Sequence, residues 1–121
     1  MVLVDTSVWI DHLRFGNPRL VSLLEDGDVA CHPFIIGELA CGNVPGRAKT
    51  LGYLQALPRI DVAGQDEVLR LIERQRLMEI GLGFIDVHLL AAALLEGIPI
   101  WTQDAPLLKA AVKLGVLFPC S

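Results

Sequence analysis

The sequence lacks a long apolar run, a paired set of cysteines and an excess of basic residues, and each absence removes a class of function. Charged or polar residues interrupt every apolar stretch well before the roughly 20 residues that a bilayer-spanning helix requires. No membrane segment is therefore expected. The opening Met1-Val2-Leu3-Val4-Asp5 has no basic start and no small-residue cleavage site. It is expected not to be a signal peptide, and the protein is expected to be cytoplasmic. Cys31, Cys41 and Cys120 form an odd set without Cys-x-x-Cys spacing. That argues against a disulfide framework and a thiolate zinc site, and the three read as small buried hydrophobes in a reducing compartment. Ten Lys and Arg against fourteen Asp and Glu give a net charge of −4, which excludes broad nonspecific attraction to nucleic acid. No repeat, low-complexity tract or linker is visible.

What is present is a chain of 121 residues, 53% hydrophobic and 20% charged. Those values fit one globular domain over residues 1–121. Short β-rich runs alternate with helical patterns. Strands are expected at 1–4, 28–32, 59–62, 98–101 and 116–118, and helices at 7–15, 19–26, 34–42, 47–57, 65–80, 86–96 and 105–114. In the helix at 65–80, Val68, Leu69, Ile72 and Leu77 form the expected apolar stripe, opposite Arg70, Glu73, Arg74 and Arg76. Parallel strands need helical crossovers, so this alternation predicts a three-layer α/β/α sandwich with a mostly parallel central sheet. In such sheets the chemistry lies beyond the carboxyl ends of the strands.

Four carboxylates stand out by position. Asp5 directly follows the first strand, Asp104 lies three residues beyond Trp101, and Asp86 opens an Ala/Leu helix after a Gly-rich turn. Glu38 is the one charged residue between His32 and Arg47. Taken singly, each Asp is a natural helix cap. Glu38 needs either an exposed helix face or a positive partner across the fold. Taken together, the four can converge at the carboxyl edge of a parallel sheet. Like charges so placed require a divalent cation or raised pKa values, and hard oxygen donors suit Mg²⁺ or Mn²⁺. A metal there can activate water against a phosphodiester.

At these residues the chain resembles a known family. Val4-Asp5-Thr6-Ser7-Val8-Trp9-Ile10-Asp11 is similar to the first motif of VapC-type PIN-domain ribonuclease toxins, and Ile36-Gly37-Glu38-Leu39 to the second. The run from Gly83 to Leu94 resembles the third and Ile100-Trp101-Thr102-Gln103-Asp104 the fourth, in the same order and register along nearly the whole chain. The resemblance implies a parallel sheet between helices, RNA as substrate, a cognate VapB-type antitoxin and a homodimer. It assigns Asp5, Glu38, Asp86 and Asp104 to the acidic catalytic site, with Asp5 and Asp86 as direct ligands of Mg²⁺ or Mn²⁺. Ser7 and Thr102 match supporting hydroxyl positions. After Asp104 the match thins: Ala105-Pro106-Leu107-Leu108 replaces the acidic residue or Phe of many relatives.

Arg14, Arg47, Lys49, Arg70, Arg74, Lys109 and Lys113 are candidates for a phosphate-contacting rim, and each is equally a solvated surface charge. His88 receives no functional role, and Asp11 reads as solvated or capping. Three rivals remain. A haloacid-dehalogenase-type phosphatase needs a second Asp two residues after the first, where Ser7 stands. A receiver domain needs paired acids near the first strand and a late Lys. A catalytically inactive PIN-fold binding module has no need of four retained acids.

Overall fold

The computed structural model describes residues 1–119; Cys120 lies outside the described residues. Three short strands form a parallel sheet in the order β2-β1-β3, with β1 at Val2–Val4, β2 at Val29–Ala30 and β3 at Ile100–Trp101. Val2 pairs with Val29 and Leu3 with Ala30, while on the other side Leu3 pairs with Ile100 and Val4 with Trp101. All three residues of β1 are buried. This is how a central strand covered by helices on both faces reads, as a continuous apolar run rather than an alternating one.

Among the described residues seven α-helices flank the sheet: α1 (Thr6–Phe15), α2 (Pro18–Glu25), α3 (Pro33–Ala40), α4 (Arg47–Ala56), α5 (Gln65–Gln75), α6 (Phe84–Glu96) and α7 (Ala105–Lys113). The result is the expected α/β sandwich. One buried cluster takes side chains from every strand and helix, with Leu3, Leu20, Ile35, Leu54, Leu89, Leu90, Ile100 and Leu107 fully enclosed.

Several boundaries differ from those expected. The strands at 59–62 and 116–118 shrink to single parallel bridges, Cys31 with Arg59 and Ile100 with Leu117, at the two outer edges of the sheet. The expected helix at 65–80 ends at Gln75. Arg76 there takes a left-handed conformation with φ 52°, and a 3₁₀ turn follows at Leu77–Glu79. The geometry of an unbroken helix explains why. Nine residues at 100° each would place Leu77 opposite Val68, so burying both requires a break. Leu69 is 47% exposed rather than part of the stripe, which consists of Val68, Leu71 and Ile72. Asn17 and Pro18 do less to close α1 than to open α2: the Asn17 side chain accepts from the Leu20 N–H, and Pro18 occupies the first turn. Cys41 is exposed and Cys31 buried, so the uniform expectation for the cysteines fails at Cys41. Among the described residues no helix is long and apolar enough to cross a membrane.

Candidate active site

From β1 the chain crosses to β2 on one side and later to β3 on the other, so the connection reverses between β1 and β3. Crevices at the carboxyl ends of parallel strands form at such switch points. Asp5 leaves β1 there, its N–H donating to the Trp101 carbonyl at 2.9 Å, and Thr102 to Asp104 follow β3. Asp5 is only 4% exposed. Its Oδ2 accepts the Ser7 hydroxyl at 2.8 Å and the Thr102 hydroxyl at 2.8 Å, with the Ser7 N–H further off at 3.4 Å. The Ser7 Oγ in turn accepts from the Gln103 N–H at 2.9 Å, and the Thr102 Oγ1 from the Asp104 N–H at 3.0 Å. Each hydroxyl has one proton, and both are directed at Asp5. The 3.4 Å approach of Ser7 to Thr102 is thus contact rather than a further bond.

This network does two things. It ties the end of β1 to the end of β3, and it loads every protein donor onto one oxygen of Asp5. The other oxygen, Oδ1, accepts nothing from the described residues and is not among their buried unpaired atoms. Ser7 and Thr102, expected as supports, therefore hold Asp5 directly.

The remaining acids arrive from three helices. Asp104 caps α7, its Oδ2 accepting from the Leu107 N–H at 3.1 Å. Glu38 is exposed on α3, and its Oε1 accepts the Thr6 hydroxyl at 2.8 Å. Asp86 sits in the first turn of α6, which begins two residues earlier than expected, at Phe84. It is the electrostatic focus of the group. Desolvation pushes its carboxyl up to about 6, the charges of Asp5, Asp104 and Glu38 push in the same direction, and a hydrogen bond from the Gly83 backbone opposes them. The structure thus brings the other three sequence-selected acids within electrostatic reach of Asp86. Among the described residues no Lys or Arg forms a salt bridge with any of them.

That last fact is the test of whether a cation fits. Hard oxygen donors around Asp86, whose pKa is raised by desolvation and then by like charge, with no Lys or Arg paired to them among the described residues, make a donor set suited to Mg²⁺ or Mn²⁺. The side chains do not form a closed cage: among the described residues no three His, Cys, Asp or Glu groups are gathered tightly enough to enclose an ion. Mg²⁺ does not require one, since it keeps several waters and takes one or two carboxylates from the protein.

Comparison with known proteins identifies the family. The model of the PIN domain family covers residues 2–113. The chain belongs to the PIN domain family. Within that family it is 48% identical over 117 residues to Ribonuclease VapC32 of Mycobacterium tuberculosis, in the CDC 1551 / Oshkosh and H37Rv strains, covering 96% of this chain and 94% of the relative. A crystal structure of a Pyrobaculum aerophilum protein superposes with a TM-score of 0.68 at 21% identity, covering 97% of this chain and 87% of that one. A chain of a toxin–antitoxin complex from Klebsiella pneumoniae superposes with a TM-score of 0.60 at 18% identity, covering 86% and 87%. At those identities the two structures establish the fold of this PIN domain.

Two residues of this PIN domain site escaped the sequence reading. Thr6 holds Glu38 across 32 positions of sequence; the signal was its place in the Asp-Thr-Ser run. The Gly83 backbone lies close enough to Asp86 to oppose the rise in its pKa, and no side-chain pattern reveals that. The candidate basic rim is dispersed. Arg14 lines a groove of about 480 Å³ with Glu38, Ile10, Leu13, Leu39 and Val44. Arg47 instead binds the Ala40 and Gly42 carbonyls behind α3, and Lys113 binds the Gln75 carbonyl.

Proposed function

We propose that this PIN domain is a metal-dependent endoribonuclease, the toxin of a VapBC-type pair, with Asp5 and Asp86 as direct ligands of Mg²⁺ or Mn²⁺ and Glu38 and Asp104 completing the acidic site. The observation that carries the proposal is the convergence on Asp86 of three further carboxylates with no protein cation paired to them. The 48% identical relative named as a ribonuclease supports the substrate class.

A bound divalent ion supplies charge neutralisation at the scissile phosphate and a water of lowered pKa. The chain supplies the rest. Ser7 and Thr102 hold the Asp5 carboxylate through Oδ2 and leave Oδ1 without a protein donor among the described residues. Asp86, whose ionised form is disfavoured by desolvation and then by the neighbouring carboxylates, would hold the ion as a carboxylate. Asp104 stays anchored through Oδ2 to the start of α7. Thr6 holds Glu38 through Oε1, leaving Oε2 free at the exposed rim to hold a water or accept a proton.

A cognate VapB-type antitoxin, a homodimer, a single catalytic domain and a cytoplasmic site of action belong to the same proposal. The apolar groove beside Glu38 gives an antitoxin peptide a place to cover one of the four acids. Brief expression without the antitoxin, followed by sequencing of RNA ends, tests the reading. New ends that appear with wild type and vanish with Asp5→Ala are expected, together with growth arrest. Abundant folded protein with unchanged RNA ends and normal growth would favour an inactive binding module.

A further inference from the structure

A net charge of −4 leaves this PIN domain short of the phosphate attraction on which most RNA-binding surfaces depend. Stacking on a base needs no charge, because every base presents a π-face. Phe84 is placed for it. It is the first residue of α6, two before Asp86, and remains 50% exposed. Singly exposed hydrophobic residues are common and mean little alone; what distinguishes Phe84 is its support. One helical turn on, the buried His88 ring meets it edge to face, with centroids 4.6 Å apart and planes at 87°. Phe34 meets His88 at 5.0 Å and 75°, and His32 meets Phe34 at 5.0 Å and 66°.

The far end of this ladder is fixed. His32 is fully buried, and its Nδ1 accepts the Phe34 N–H at 3.0 Å. The ladder also runs beside the acids, because Phe34 and Glu38 are four residues apart and so share a face of α3. Phe84 and Asp86 share the first turn of α6 but project from different sides of it, so an aromatic ring braced from the core and open to solvent there is a surface for a base next to, rather than over, a phosphate at the carboxylates. We infer that Phe84 is a stacking platform for a nucleobase of single-stranded RNA held at the acidic site. The inference rests on the ribonuclease proposal for where the phosphate lies.

The test is binding with Ca²⁺, which fills an oxygen-donor site, in place of Mg²⁺ or Mn²⁺, with the probes checked to be uncut after the measurement. Two probes carry equal charge: a single-stranded oligouridylate, and an abasic ribose-phosphate oligomer of the same length. Wild type is expected to prefer the base-bearing probe by roughly 5- to 150-fold. Phe84→Leu, which keeps an apolar contact to His88 without a π-face, should lose that preference while unfolding at the wild-type temperature. Phe84→Tyr should retain it. Equal binding of both probes by wild type overturns the inference, as does an undiminished preference in Phe84→Leu. A Phe84→Leu protein weakened equally on both probes also overturns it, since that indicates a structural role. If wild type shows the preference but cuts no RNA with Mg²⁺ or Mn²⁺, the ribonuclease proposal fails and the base contact stands.

Discussion

Asp86 gives the site its pH dependence. Its carboxyl releases a proton near 3.8 in the unfolded chain and near 6 in the fold, through desolvation and then its acidic neighbours. Between those values the folded state binds the extra proton, so this contribution to stability falls as the pH rises through the window and is flat above it. His32 runs the other way. Burial lowers its pKa to about 4 from 6.5, so its contribution is lost as the pH falls. The two slopes overlap and oppose each other. Asp86→Asn should therefore gain stability relative to wild type as the pH rises from about 4 to about 6 without divalent ion, then hold a constant advantage, when followed by chemical denaturation. A constant difference across that window would refute the raised pKa of Asp86. Thr102→Val removes a buried donor to the Asp5 carboxylate at nearly constant volume. It should cost about 1.5–3 kcal/mol of stability, the range for bonds to charged groups. Thr102→Ser should restore most of it.

Two elements show what periodicity conveys and what it hides. The start of α6 follows a Gly-rich turn that was legible, but the preference for Asp at caps pulled the expected start to Asp86, whereas Gly83 is the cap and Asp86 lies within the first turn. The difference matters to the chemistry, because inside the turn the carboxyl is partly desolvated. The break in α5 was not legible. Arg is a good helix former, and the need for a break arises only when Val68 and Leu77 must enter one core. Arg76 bears the consequence, with its φ of 52° in a region that favours glycine. Arg76→Gly should stabilise the protein by about 0.5–1 kcal/mol, after loss of the exposed Arg76–Glu79 pair, with activity unchanged. A destabilised variant in a denaturant titration would show that the pair outweighs the backbone strain.

At the level of the molecule, alternation of short apolar runs with helical patterns was enough to predict a parallel sheet. Asp5 and Asp104 were readable as acids of its carboxyl edge because each follows a strand, and Asp86 as an acid able to approach them from a flanking helix. Glu38 was readable for the opposite reason, as a charge without a partner in an apolar helix; its partner is the Thr6 hydroxyl on an exposed face, not a cation. The strand positions at residues 59 and 117 carry only one bridge each, because edge pairing depends on neighbours far away in sequence. The aromatic ladder from His32 to Phe84 was hidden likewise, since α3 and α6 meet only in the folded chain.

The central claim is that four distant acids act as one divalent-ion site that cuts RNA. Cleavage of RNA by the purified protein with added Mg²⁺ or Mn²⁺ tests it most directly, alongside Asp5→Ala and Asp86→Ala. The account predicts cleavage by wild type, at least a hundredfold loss in either variant on the order of other electrostatic deletions at active sites, and no cleavage in EDTA. Cleavage that persists at the wild-type rate in EDTA, or in both variants, would contradict it.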